Sequence, residues 1–179
     1  MTLAPDRSWT VWFAAFAACM LVRQGAAEVL SSGPNGFEVR ETVRVSASPQ
    51  KVYAALLQPS RWWSSSHTFS GNAANLTLEA KAGGCWCESL PGGGSVEHMR
   101  VIYLAPGNTL RLRGALGPFQ GLGVEGAMTW SLKGSAEATD ISVTYAVGGY
   151  SQQPFEAAAK GTDQVLGEQL QLLKKLIEG

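Results

Sequence analysis

Apolar and polar residues alternate along most of this chain, and the places where the alternation changes period define its elements. Phe37, Val39, Val43 and Val45 alternate with charged or polar neighbours, the mark of a half-buried strand, although Glu41 interrupts the apolar parity. Ser48-Pro49 is then a helix start, with a capping hydroxyl followed by a proline suited to the first helical position. Val52, Tyr53, Leu56 and Leu57 give that helix an apolar stripe; Pro59 ends it, and a second short helical turn is predicted around Arg61-Trp62-Trp63.

Six further strands follow as Leu76–Ala80, Cys85–Leu90, Ser95–Leu104, Thr109–Gly114, Val124–Leu132 and Ile141–Val147. Their connections are short, so neighbours in sequence are predicted to pair antiparallel. From Pro154 to Ile177 the period becomes helical, with Leu166, Leu170, Leu173 and Ile177 on one face and Glu168, Gln171, Lys174 and Lys175 largely on the other. A sheet with one apolar face must cover it, and the last helix is the available cover. The reading is an α+β domain over residues 37–179: a curved antiparallel sheet of about seven strands, two short helices after the first, and a long C-terminal helix.

Residues 1–27 have a different pattern: a short polar start with Arg7, the unbroken apolar run from Trp9 to Val22, then Arg23-Gln24-Gly25-Ala26-Ala27. This is the layout of a secretory signal peptide cleaved after Ala27. The run has 14 residues, whereas a membrane span needs about 20. The expected location is therefore periplasmic or secreted, with a retained N-terminal anchor as the alternative. Cys19 reads as part of the apolar core of the signal rather than as a lipoprotein cleavage box. Residues 28–36, "EVLSSGPNG", read as a flexible leader.

Composition narrows the function classes. The chain has 14 basic and 14 acidic residues, and loss of Arg7, Arg23 and Asp6 with the signal leaves 12 and 13. There is no basic footprint for nucleic acid, and no membrane association is expected once the signal is removed. The oligomeric state is not legible.

Several particular stretches resemble a known family. "SASPQKVYAALLQPSRWW", "AGGCWCE", the Pro106-Gly107 turn before "TLRLRG", and "GAMTWSL" are similar to segments of the SRPBCC (START/Bet v 1-like) superfamily, among its polyketide-cyclase/dehydratase-like and Hsp90-ATPase-activator-homology-like members. The resemblance covers roughly residues 37–177. It implies a helix-grip fold with a cavity between sheet and C-terminal helix, where relatives mostly hold apolar or amphipathic molecules and a minority catalyse cyclisation or dehydration. An exported chain is a departure from the many cytosolic relatives.

Strand parity nominates the residues of such a cavity. Met128, Trp130, Leu132, Ile141, Val143 and Tyr145 share the inward face of the last two strands. If Leu90 pairs with Ser95 across the four-residue loop, Glu88 opposes Glu97 and Trp86 opposes Met99, and Met99, Val101 and Tyr103 face inward. Glu41, Glu88 and Glu97 then line the interior, either solvated at its mouth, orienting a polar ligand group, or serving as acid and base. The ligand-binding candidates are Trp62, Trp63, Phe69, Trp86, Glu88, Met99, Tyr103, Met128, Trp130 and Tyr145, and the catalytic candidates are Glu88, Glu97 and His67. The glycine-rich stretch 114–123 carries Leu116, Phe119 and Leu122 and reads as a lid.

The same parity puts Cys85 and Cys87 on the outer face beside His98. Three readings stay open for them: free inert thiols, a disulfide, or a metal or redox site with His98. One C-x-C with a single histidine is a weak metal signal, so no metal and no cofactor are assigned. The leading functional reading is an exported protein that holds a small hydrophobic or amphipathic ligand; a cyclase- or dehydratase-type enzyme and a Cys/His metal or redox protein are the alternatives.

Overall fold

The computed structural model describes residues 27–179. The signal reading of residues 1–27, with Cys19, therefore lies outside the described residues except for Ala27. Eight strands form one antiparallel sheet: β1 (Ala27–Gly33), β2 (Gly36–Val45), β3 (Leu76–Leu78), β4 (Cys85–Ser89), β5 (Ser95–Ala105), β6 (Thr109–Arg113), β7 (Gly123–Gly134) and β8 (Thr139–Tyr150). Their spatial order is β1-β2-β8-β7-β6-β5-β4-β3, so the single long-range pairing is β2 with β8. Helix α1 (Pro49–Leu56) follows β2, and helix α2 (Phe155–Glu178) closes the chain. This is the helix-grip arrangement of the α+β class.

The local signals explain the elements. Ser48 accepts the Lys51 amide at 3.3 Å and Pro49 occupies the first turn of α1. The second predicted helix is a 3-10 turn at Pro59–Arg61, placing Trp62 and Trp63 in the core. Leu166, Leu170, Leu173 and Ile177 are all buried, which commits one face of α2 to the sheet. The alternating set Met128, Trp130, Leu132, Ile141, Val143 and Tyr145 is likewise buried, and β7 and β8 pair without a register shift.

Residues 28–33, read from the sequence as part of a flexible leader, belong to β1 (Ala27–Gly33) instead. The strand pairs with β2 from Ala27↔Glu41 to Gly33↔Gly36, with one shift between Val29 and Ser31. Its own residues carry little strand signal; the edge of β2 supplies the hydrogen-bonding partners that its backbone would otherwise lack.

Two bulges in β5 position the site. Trp86 pairs with Met99 but Cys87 pairs with Glu97, leaving His98 as an extra residue. A second shift falls between Val101 and Tyr103. A bulge re-aims the side chains on one side of it. His98 and Met99 are consecutive in sequence and both buried, while Glu97 and Tyr103 turn outward.

Candidate functional site

A cavity of about 870 Å³ opens between the N-terminal half of α2 and the concave side of the sheet. One wall is the segment Trp63 to Phe69, and a second is the loop from Leu116 to Gly121. His98 of β5 and Tyr145 of β8 form the sheet side, and Ala158, Gly161, Thr162, Val165 and Leu166 of α2 face them.

Each wall is held by identifiable bonds. The Ser64 amide donates to the buried Gln169 side chain of α2 at 2.7 Å, and Trp63 Nε1 donates to the His67 carbonyl at 2.9 Å. The loop hangs on Tyr145, whose hydroxyl donates to the Gly114 carbonyl and accepts the Leu116 amide, each at 3.0 Å. Burial pushes the Tyr145 phenol up to about 12, so this hydroxyl stays protonated and structural. Gly126 on β7 makes room for it, since a Cβ there would stand 2.5 Å from the Tyr145 ring. Phe119 packs on Phe37 with ring centroids 5.7 Å apart.

Both histidines of the chain line the cavity, and each contacts a carboxylate. His67 Nε2 lies 3.2 Å from Glu168 Oε2 of α2, at the partly exposed mouth. Deeper, His98 Nε2 lies 2.9 Å from Glu88 Oε2, with both residues buried. Glu88 also accepts the backbone amides of Phe69 at 3.1 Å and Ser70 at 2.5 Å. Burial alone would raise its pKa, but hydrogen bonds from Ser70, Phe69 and His98 outweigh burial and hold the carboxyl below its usual range. Burial pushes the His98 imidazole down despite the opposing influence of Glu88. The pair is therefore an ionised carboxylate and a neutral imidazole at neutral pH, with the proton on Nε2 pointing at Glu88. Phe69 and Trp86 flank the His98 ring, with centroids 5.8 and 5.9 Å away.

A model of the family described as polyketide cyclase / dehydrase and lipid transport matches residues 36–178. The chain belongs to this family. No curated protein matches it. Among solved structures the same fold recurs at low identity. CalU16 from Micromonospora echinospora has 15% identity and a TM-score of 0.57, covering 87% of this chain and 84% of its own. A conserved protein of unknown function from Enterococcus faecalis has 17% identity and a TM-score of 0.56, covering 87% of this chain and 77% of its own. DynU16, a putative protein in the dynemicin biosynthetic locus, has 20% identity and a TM-score of 0.52, covering 77% of this chain and 46% of its own. At these identities the likeness is one of fold.

Within this family fold, the residues nominated from sequence divide into three groups. Trp63, His67, Phe69, Leu116, Phe119 and Tyr145 line the cavity. Trp62, Trp86, Met99, Met128 and Trp130 are buried in the core behind it, where Trp62 packs edge-on against Trp130 at 5.7 Å and Trp63 against Trp86 at 4.9 Å. Tyr103, Glu97 and Leu122 are exposed. The bulges correct the parity that had put Tyr103 and Glu97 inside: Tyr103 stacks under Arg111, and Glu97 pairs with Arg100 on the outer face. Glu88 opposes Val96 rather than Glu97, and His98, expected outside, is its buried partner.

Glu41 does face inward but meets α2, not the cavity. Its carboxyl is buried against Asp163, and burial followed by the hydrogen bond and charge of Asp163 pushes it up to about 8. Nothing in the sequence marks Asp163 for this contact, because its partner lies on β2 and the two meet only when α2 packs on the sheet.

The cysteines settle into one of the three open readings. Cys85 and Cys87 form a disulfide, with Cα atoms 5.4 Å apart. A fully extended strand would hold them at roughly 6.5–7 Å; the 5.4 Å spacing lies inside the range a disulfide spans. His98 points to the opposite side of the strand, so the Cys85, Cys87 and His98 metal set is not assembled. Among the described residues, no group of three or more His, Cys, Asp or Glu side chains is arranged to hold a metal ion.

Proposed function

We propose that this chain is an exported binding protein that holds a small hydrophobic or amphipathic molecule in the cavity between its sheet, the 116–121 loop and α2. The observation that carries the reading is the cavity itself: about 870 Å³, walled by Trp63, Phe69, Leu116, Phe119, Val165 and Leu166, with a few polar groups at fixed places. Volumes of roughly 300–1,000 Å³ with predominantly apolar linings are typical of small-molecule sites. The family description, which names both cyclase chemistry and lipid transport, is consistent with this class of ligand. The two histidines on the wall, each paired with a carboxylate behind or beside it, favour a second reading in which the bound molecule also undergoes proton transfer of the cyclase/dehydrase kind.

Gly161 offers the test. It lies in the interior of α2, lines the cavity, and has nothing within 4 Å of where a Cβ would stand. Gly161→Leu is expected to keep or raise stability, because glycine in a helix costs about 1 kcal/mol, while filling the cavity. Native mass spectrometry of the protein purified from its source should show a co-purified ligand on the wild type that the Gly161→Leu variant loses. Absence of any bound species on both, together with no binding across a lipid and aromatic library, would refute the binding reading.

Export is supported by the signal-like N-terminus and by the disulfide, since disulfides persist in oxidising compartments. Cleavage after Ala27 would leave residues 28–33 of β1 in place. The N-terminal sequence of the protein recovered from periplasm or medium is expected to begin at Glu28; recovery only from cytoplasm, with Met1 intact, would exclude export.

A further inference from the structure

Two carboxyl groups meet inside the fold without a counter-cation. Glu41 of β2 is 4% exposed and meets Asp163 where α2 crosses the sheet. Glu41 Oε1 and Asp163 Oδ1 are both sealed from solvent, and neither has a hydrogen-bond partner among the described residues. No lysine, arginine or histidine of those residues pairs with either carboxyl. Arg40 and Thr42 flank Glu41 on β2 but alternate to the other face of the sheet. Val143 of β8 stands opposite Glu41, and a Cβ at Gly167 of α2 would lie 3.5 Å from its carboxyl, so the glycine leaves room there. A buried charge without donors is costly. The pair accordingly keeps a proton, with burial and Asp163 pushing Glu41 up to about 8.

The start of β1 is the third element at this place. Ala27 is the register partner of Glu41, and Glu28 is that of Arg40. Cleavage after Ala27 removes the residue opposite Glu41 and turns the next nitrogen, that of Glu28, from an amide into an amine. Partners in an antiparallel ladder stand about 4.5–5.5 Å apart at Cα, so this nitrogen lies within reach of the Glu41 side chain. We propose that the Glu41–Asp163 pair is the binding site of the α-ammonium group of the processed chain, which replaces the proton as the counter-charge of the two carboxyls. The inference rests on the cleavage reading and gives the new terminus a docking site. In the cleavage, water divides across the Ala27–Glu28 bond, hydroxyl to the Ala27 carbonyl and hydrogen to the Glu28 nitrogen. The amine, of ordinary pKa about 7.7–8.0, takes a further proton from solvent, and Glu41 releases its own to solvent on docking. The net charge of the site stays at minus one: one carboxylate before, two carboxylates and an ammonium after. The ammonium donors meet the two orphaned oxygens. The ion pair then ties β1 to α2, whose N-terminal half walls the cavity.

Sequencing the terminus of the exported chain comes first, and a start other than Glu28 overturns this inference together with the cleavage reading. The Glu28 chain is then compared with the same chain acetylated at its α-amine while unfolded, at about pH 6.5, where α-amines react ahead of lysines. At pH 7 the free-amine chain is expected to melt about 5 °C or more above the acetylated one. Its Glu41 side-chain carboxyl, followed by carbon NMR, should be ionised at pH 6, whereas the acetylated chain should keep the protonated signal until about pH 8. Glu41→Gln should lower the Tm of the free-amine chain and raise that of the acetylated and full-length chains. If that variant does not fold, acetylation and the carbon signal decide. Equal Tm with and without the acetyl group, or a Glu41 signal that titrates alike in both forms, overturns the inference and leaves export and cleavage standing.

Discussion

Glu88→Ala is expected to cost about 3–5 kcal/mol of unfolding free energy at neutral pH, measured by urea denaturation, the scale seen when one partner of a buried charged network is removed. The carboxylate is buried and satisfies three donors at once, the amides of Phe69 and Ser70 and the imidazole of His98. Alanine would leave all three facing a void, and the segment before β3 would lose its tie to β4. Glu88→Gln should cost less, because its amide oxygen still accepts. The pH dependence has a definite sign. The folded pKa lies below the ordinary 4.5, so the stabilisation is fully present above that value and disappears as pH falls through the folded pKa. The carboxylate's own contribution should therefore persist from pH 7 down to about 5 and shrink only in stronger acid. A cost within about 0.5 kcal/mol, the range of ordinary surface substitutions, would mean that the network does not hold the fold.

Glu41 should behave in the opposite way. Its carboxyl is buried against Asp163 with a folded pKa of about 8, against an ordinary 4.5. Between those values the unfolded chain releases this proton and the folded chain keeps it. Stability is then greatest below about pH 4.5 for this group and falls as pH rises to about 8. Glu41→Gln removes the slope and can still donate to Asp163. In the full chain the variant is expected to exceed the wild type by about 2–4 kcal/mol at pH 8, with the gain vanishing toward pH 4.5; the range is set below the full shift because Asp163 is only partly buried. Parallel stability curves for the two proteins across that range would show that Glu41 does not carry its proton into the folded state.

These two glutamates illustrate how far sequence reasoning reaches. Both were placed inside by strand parity, and both are inside. Their chemistry differs because one meets backbone amides and an imidazole while the other meets a carboxylate from α2, and neither partner lies on the same strand. Parity was reliable for Met128, Trp130, Ile141, Val143 and Tyr145 because β7 and β8 run against each other without interruption. It failed on β5, where two bulges reverse the facing of Glu97 and Tyr103 and bring in His98; the apolar positions on either side looked like one continuous pattern. The strand β1 was missed because "AEVLSSG" is poor in strand-favouring residues and is ordered by its neighbour. Trp62, Trp86 and Trp130 were legible as interior but not as core rather than cavity wall, since that division depends on how deep α2 sits across the sheet.

The bulge at His98 separates the ladder from the chemistry. On one side Cys87 faces Glu97, on the other Trp86 faces Met99, and both pairs are ones a regular strand would make if residue 98 were simply left out. A gene one codon shorter would thus encode the same strand pairing, the same inner tryptophan and the same outer ion pair, with Glu88 stripped of its imidazole. The buried imidazole is in this sense an insertion into a finished framework, one that leaves the register of the sheet on either side unchanged.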